Sequence, residues 1–159
     1  MSTADRTRDP DEAAVIDGVR RWLAEWGDEV AGCDFDTAER RFADDVVGFG
    51  TRATVARGLR ALRSDQWQHV WPAIDGFGFD VDEADVWVAD DRSSAVIAAP
   101  WHSVGKTAQG TTFPRGGRAT VVLTRADGRW VGRHTHFSLE PLDPGTYTGG
   151  AASGGGEGS

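Results

Sequence analysis

The sequence has a single cysteine, Cys33, and contains no apolar run of membrane-spanning length. One cysteine cannot form an intramolecular disulfide, and such scarcity is typical of proteins kept in a reducing compartment. The first residues, MSTADRTRDPDE, lack the apolar core of a signal peptide. A membrane helix would need about 20 consecutive apolar residues. These deficits predict a soluble, cytoplasmic protein with no membrane partner.

Positive charge is also scarce. The formal net charge is −8, and the basic residues, nearly all of them arginine, stand among acidic neighbours. A nucleic-acid surface needs a clustered basic face that neutralises phosphates, so we expect no nucleic-acid partner. At 159 residues the chain has the length of one domain.

Both ends of the chain are poor in apolar side chains. Residues 1–8 are predicted to form a flexible N-terminus. Residues 143–159, DPGTYTGGAASGGGEGS, are rich in glycine and cannot bury apolar surface, which predicts a disordered tail. The folded domain is therefore expected to span residues 9–142.

The first half of this domain has the pattern of three helices and one early strand. Asp9 and Pro10 are typical of a helix start. Six apolar residues follow at helical spacing: Val15, Val19, Trp22, Leu23, Trp26 and Val30. A short helix is predicted from a cap at Asp36, and DDVVGFGT is predicted to be the first strand. A third helix is expected over residues 55–71, since Pro72 would end or kink it.

After residue 75 the apolar period changes from 3.6 to 2, which predicts strands. Four segments show it, separated by turn-forming residues: FGFDVDEADVWVAD, SSAVIAAPWHSVG, GRATVVLTR and RWVGRHTHFSL. RADGR joins the last two as a tight hairpin, with Gly128 suited to a left-handed conformation. Helices gathered on one side of a curved, mainly antiparallel sheet form an α+β architecture.

The last of these strands carries two histidines on one predicted face. Alternation places Trp130, Gly132, His134, His136 and Ser138 together. The opposite face would hold Val131, Arg133, Thr135 and Phe137. A three-residue turn with a glycine bulge would bring Arg118 and Thr120 of the preceding strand beside the histidines, and we favour this register. A two-residue turn would instead oppose Leu123, Val121 and Ala119.

The order of elements, with RRFADDVVGFG after the second helix and DGRWVGRHTHFSLEP at the end, resembles the nuclear transport factor 2 superfamily over about residues 11–141. More narrowly it resembles the SnoaL-like proteins, whose last strand reads Trp-x-x-x-His-x-His-x-Ser. The resemblance implies a cone-shaped α+β barrel in which three N-terminal helices pack on a curved, mainly antiparallel sheet. It also implies that the histidine face lines the cone, and that the opposite face forms a homodimer.

Ketosteroid isomerase, an enzyme of the same superfamily, allows a comparison residue by residue. Gly50 lies at or beside the position of its general-base aspartate and cannot transfer a proton. Trp22 and Trp26 occupy the helix that carries its hydrogen-bonding tyrosine, and Thr120 lies near its second aspartate. The resemblance therefore does not extend to steroid isomerisation.

Three interpretations of the His-x-His pair remain open. His134 and His136 could be hydrogen-bonded polar residues of the core. One of them could act as a general acid or base, because the imidazole pKa lies near neutrality. They could also bind a metal ion, for which His102 or His69 would supply a third ligand. The metal site is the least favoured, so we expect neither a metal nor another cofactor.

Other candidate residues are aromatic or acidic. Seven tryptophans stand against one tyrosine and one methionine, and tryptophan suits both a core and a cavity wall. Four are candidates for substrate binding: Trp67, Trp71, Trp101 and Trp130. Asp44 and Asp45 form an acidic pair, but adjacent strand residues face opposite ways, which favours a solvated turn.

The predicted function is the binding of a small apolar or cyclic organic molecule in the cone. As an enzyme, the protein would carry out proton transfer on it, by isomerisation, cyclisation, dehydration or hydrolysis. His134 or His136 would move the proton, while Arg118 and Thr120 hold a substrate oxygen. The alternative is a non-catalytic ligand-binding or dimerisation module with structural histidines. A filled cone would argue against the enzyme.

Overall fold

The computed structural model describes residues 9–141, so the predictions for residues 1–8 and 143–159 lie outside the described residues. Within that range no helix is both long and apolar enough to cross a membrane. The first helix, α1, spans Pro10–Ala31. The Asp9 side chain caps it by accepting a hydrogen bond from the Asp11 amide at 3.0 Å. Its predicted stripe faces the core except at Val15, which borders an outer groove, and Leu23 and Trp26 are almost fully buried.

The second helix, α2, spans Phe35–Glu39 and starts two residues earlier than predicted. Asp34 is the cap, because its side chain accepts the Thr37 amide hydrogen at 3.3 Å. Asp36, the predicted cap, instead forms an ion pair with Arg63 at 2.8 Å.

The third helix, α3, covers residues 59–73 and contains one irregular turn. The predicted start near residue 55 is wrong, because Ala56–Arg57 forms a short strand. Gly58, with a φ of +91°, separates this strand from the helix. Leu62–Trp67 is a π-helical turn, in which the Gln68 amide bonds the Arg63 carbonyl five residues earlier. The helix closes with the 3₁₀ turn Trp71–Ala73, which contains Pro72.

Seven strands form one curved sheet in the order β2-β1-β7-β6-β5-β3, with β4 paired to β5 beside β3. Their bounds are Phe42–Phe49 (β1), Ala56–Arg57 (β2), Ile74–Phe79 (β3), Asp85–Val88 (β4), Ser94–Lys106 (β5), Thr112–Ala126 (β6) and Arg129–Leu139 (β7). All described pairs are antiparallel except β1 with β7, which is parallel. The α+β prediction is confirmed, with a sheet that curves without closing.

The first predicted strand of the meander is divided into β3 and β4. A turn at Val81–Glu83 separates them, and both pair with β5, β4 at its start and β3 at its end. Alternation continues through the turn in FGFDVDEADVWVAD, which is why the sequence pattern shows one strand.

The β6–β7 hairpin has a two-residue turn and a bulge on β7. Ala126 pairs with Arg129 across Asp127-Gly128, both with positive φ, so the expected three-residue turn is wrong. The pairing then shifts by one, because Leu123 opposes Gly132 while Val122 opposes His134. Arg133 is therefore an extra residue between them.

This bulge reverses the side-chain faces of the second half of β7. Thr135 is 2% exposed, while His136 is exposed to solvent. The prediction that the histidine face lines the cone, and that Thr135 and Phe137 lie outside, is corrected here. Because alternation restarts after an unpaired residue, a strict period-2 count from Trp130 gives the wrong face beyond Gly132.

The core lies between α1, α3 and the inner sheet face. Aromatic side chains fill much of it, with Trp26 in contact with Phe42, Phe79 and Phe137 at ring separations of 5.0 to 5.7 Å. Such tilted and edge-to-face pairs add to the burial of apolar area. Phe42 occupies the space that a Cβ at position 132 would need, so only glycine fits there.

Candidate functional site

A small cavity of about 40 Å³ remains between α3 and the inner face of the sheet. An enclosed water needs about 10–15 Å³ measured in this way, so the space admits a few waters or a small ligand group. Apolar side chains dominate its wall, and the polar residues among them are Thr51, Gln66, Arg115 and Thr135. The cone is therefore largely filled, with one space left inside.

Three of the four predicted tryptophans lie in this wall. Trp67 and Trp71 stack at 4.6 Å between ring centroids, and Trp101 stacks on Phe77 at 5.8 Å. The π turn and the next helical turn of α3 present Trp67 and Trp71 on the same side, while β5 presents Trp101 opposite its exposed neighbour His102. These aromatic side chains give the cavity an apolar wall on two sides.

Gln66 holds the loop after β1 at the edge of the cavity. Its side-chain oxygen accepts the amide hydrogens of Arg52 at 3.0 Å and Ala53 at 2.7 Å. Its Nε2 donates to Thr51 Oγ1 at 3.2 Å. A side chain on Gly50 would collide with Gln66, so the glycine permits this close approach. These bonds fix the position of the Thr51 hydroxyl.

Arg115 of β6 is the ionisable side chain of the described cavity wall. Its Nη2 donates to Thr51 Oγ1 at 2.9 Å, and its guanidinium lies 5.2 Å from the centre of the Trp101 ring. Burial lowers the pKa of Arg115, and no described carboxylate forms an ion pair with it to offset that cost. The wall thus holds a partly desolvated positive charge stacked on an indole.

Two further donors in the wall have no partner. The indole Nε1 atoms of Trp26 and Trp101 are buried and form no hydrogen bond within the described part of the chain. Buried donors of this kind are usually paired with protein or ordered water. The cavity wall therefore contains unused hydrogen-bond donors.

Both predicted catalytic histidines lie on the outer face of the sheet. His134 Nδ1 is 2.7 Å from the Val47 carbonyl oxygen, so this nitrogen is the protonated donor. Phe49 packs edge-on against both rings, at 4.8 Å from His134 and 5.3 Å from His136. His136 borders a shallow surface depression next to the loop after β1. Neither imidazole lies in the wall of the central cavity.

The remaining predicted substrate-binding residues also lie elsewhere. Thr120 and Arg118 are exposed on the outer face, where Thr120 pairs with His136 and Arg118 Nε donates to Ser138 Oγ at 3.2 Å. Trp130 lines a separate open groove beside α1, and Arg125 stacks on it. The structure therefore does not bring these three residues together with Trp67, Trp71 and Trp101.

The other titratable candidates have surface positions. His102 Nδ1 pairs with Asp80 at 2.8 Å on the outer face, and His69 is exposed on α3. Asp44 and Asp45 are both exposed, and Asp45 pairs with Arg133 at 3.3 Å. Residues 9–141 contain no group of three side chains placed to hold a metal ion.

Sequence reasoning missed the polar residues of the cavity. Arg115 precedes the predicted strand GRATVVLTR, but the observed strand β6 begins at Thr112 and includes it. Gln66 follows the helical pattern of α3, and only the π turn shows why it is buried. Thr135 could have been placed correctly only by locating the bulge at Arg133.

Comparison with known proteins identifies the fold and the family. No curated protein has a significantly similar sequence. Among solved structures, a nuclear transport factor 2 superfamily protein from Salmonella enterica serovar Typhimurium is similar at a TM-score of 0.71, with 17% identity over 86% of this chain and 98% of that one.

Two other solved structures show the same fold. A ketosteroid isomerase-like protein from Erwinia carotovora atroseptica has a TM-score of 0.67 and 16% identity over 84% of this chain and 100% of its own. The association domain of CaMKII from C. elegans has a TM-score of 0.66 and 17% identity, covering 82% of this chain and 99% of its own. The family model described as the SnoaL-like domain matches residues 19–142, and the chain therefore belongs to the SnoaL-like family.

Proposed function

We propose that this protein is a cytoplasmic small-molecule-binding domain whose ligand occupies the central cavity. The observation that carries the proposal is the wall of that cavity, where Trp67, Trp71 and Trp101 border a space left open in an otherwise packed core. Concave apolar sites with a few polar groups are typical of small-molecule binding. The ligand is a small molecule with a flat apolar body.

Binding without proton transfer is the better-supported form of this proposal. Proton transfer needs a group whose pKa lies near the working pH and which reaches the substrate. Within the described wall the ionisable residue is Arg115, whose guanidinium stays protonated at neutral pH even with a lowered pKa. His134 and His136 are on the other side of the sheet and cannot touch a ligand in this space.

A cavity-filling substitution tests the location of the ligand. Val70 borders the cavity, so Val70→Phe is expected to fill it and weaken the binding of a neutral single-ring probe, benzamide, by about tenfold or more, as measured by isothermal titration calorimetry. The matched control is Val15→Phe, which makes the same change in the outer groove beside α1. Equal affinity of both variants and the original protein for benzamide would contradict the proposal.

A second candidate function is association between copies of the chain. The described helices pack on the inner face of the sheet and leave the outer face open, with Val122 half-buried between its neighbours. We propose that two copies meet through this face. Its residues are Thr120, Val122, His134 and His136 rather than the predicted Val131, Arg133, Thr135 and Phe137. The similarity to an association domain supports this candidate at the level of the fold.

A further inference from the structure

Arg115 differs from two other partly buried arginines, Arg41 and Arg63, in how its charge is balanced. Arg41, with 18% of its side chain exposed, pairs with Glu29 at 2.5 Å and Glu25 at 3.0 Å. Arg63, with 26% exposed, pairs with Asp36 and Glu39. Arg115 contacts a neutral hydroxyl and an aromatic ring instead. Because an uncompensated charge away from water is costly, this position favours an anion supplied from outside the described fold.

The hydrogen-bonding capacity that remains on Arg115 and Thr51 consists of donors. Thr51 Oγ1 already accepts from Arg115 and from Gln66, so its own hydrogen is left to donate. The Gln66 side-chain oxygen is occupied by two backbone amides. A ligand that matches Arg115 and Thr51 carries an oxygen acceptor.

We infer that the cavity binds a small carboxylic acid, with its carboxylate against Arg115 and Thr51 and its apolar body against Trp67, Trp71 and Trp101. This inference rests on the proposed function and names the class of its ligand. A carboxylate accepts through both oxygens and matches the planar guanidinium fork. A single arginine balances one negative charge, whereas a phosphate dianion would leave one unbalanced. The volume of about 40 Å³ restricts the enclosed part of the ligand to a small group.

The test compares an acid with its neutral isostere. Benzoate is expected to bind the original protein about tenfold or more tightly than benzamide in calorimetric titrations, because hydrogen bonds to charged groups are stronger than neutral ones. Arg115→Gln is expected to remove this preference by weakening the binding of benzoate about tenfold or more relative to that of benzamide. The matched control is Arg118→Gln, which removes an arginine three residues further along β6 on the outer face and is expected to keep the preference.

The outcomes separate the inference from the function on which it rests. If benzamide binds and Val70→Phe abolishes that binding, but benzoate binds no better, the function holds and the acid is wrong. The acid is also wrong if Arg115→Gln keeps the preference for benzoate. If neither compound binds the original protein, both the function and the inference fail. Thermal unfolding of Arg115→Gln establishes that a lost preference does not come from lost structure.

Discussion

At the scale of single residues, the arginines of this protein divide by what balances their charge. Burial acts to lower the pKa of Arg41, but the hydrogen bonds and charges of Glu29 and Glu25 outweigh it and leave that pKa raised. Burial also lowers the pKa of Arg115, and here no described carboxylate opposes it. The first arrangement stabilises the fold, whereas the second leaves a charge available to a ligand.

This division predicts opposite effects on stability. Arg41→Met removes the partner of the buried Glu29 carboxylate and leaves that charge unpaired. The free energy of unfolding is therefore expected to fall by about 2–3 kcal/mol. Arg115→Met removes a charge with no described counter-charge and is expected to leave the free energy of unfolding unchanged or slightly higher. Urea denaturation followed by tryptophan fluorescence measures both. A larger loss for Arg115→Met than for Arg41→Met would show that Arg115 is balanced within the chain.

At the scale of secondary-structure elements, two insertions of a single residue define the cavity. The bulge at Arg133 turns Thr135 and Phe137 inward, and the π turn of α3 accompanies the burial of Gln66 and Trp67. Periodicity predicted α1 and the position of β5 well, because these two elements keep one regular count. It could not locate either insertion, since a bulge depends on the pairing of two strands.

The bulge predicts a difference between deletion and substitution at Arg133. Arg133→Ala removes only a side chain that pairs with exposed Asp45, so the free energy of unfolding is expected to change by less than about 0.5 kcal/mol. Deleting Arg133 instead forces either the histidines inward or the hairpin out of register, and loss of cooperative unfolding is expected. Circular dichroism during heating compares the two. A deletion variant that unfolds like the original protein would show that β7 absorbs the change at the turn.

At the scale of the whole molecule, the sequence was sufficient for the fold and insufficient for the site. The motif around Trp130, His134, His136 and Ser138 marked the family, and the family implied the helices, the curved sheet and the inner space. The same motif led to a wrong prediction of which residues line the cavity, because fold membership does not determine which side chains face inward. The residues of the site depend on contacts between α3, the loop after β1 and β6, and no local pattern encodes those contacts.

The open outer face predicts self-association that an introduced charge disrupts. Thr120→Glu would place like charges near each other across a two-fold interface, so a dimer of the original protein is expected to become a monomer. Sedimentation velocity over a range of concentrations measures this change. Thr111→Glu, in the exposed turn between β5 and β6, serves as the control and is expected to remain a dimer. An original protein that stays monomeric at every concentration would exclude association through this face.

The π turn of α3 has a consequence for how this fold can diversify. The turn adds one residue between Leu62 and Trp67 without breaking the helix. A related chain that lacks this residue would rotate everything after it by about 100°, since an α-helix advances 3.6 residues per turn. Trp71 would then leave the wall although neither it nor its neighbours had changed. In this architecture the length of a helix, and not only its composition, is a heritable determinant of which side chains line the cavity.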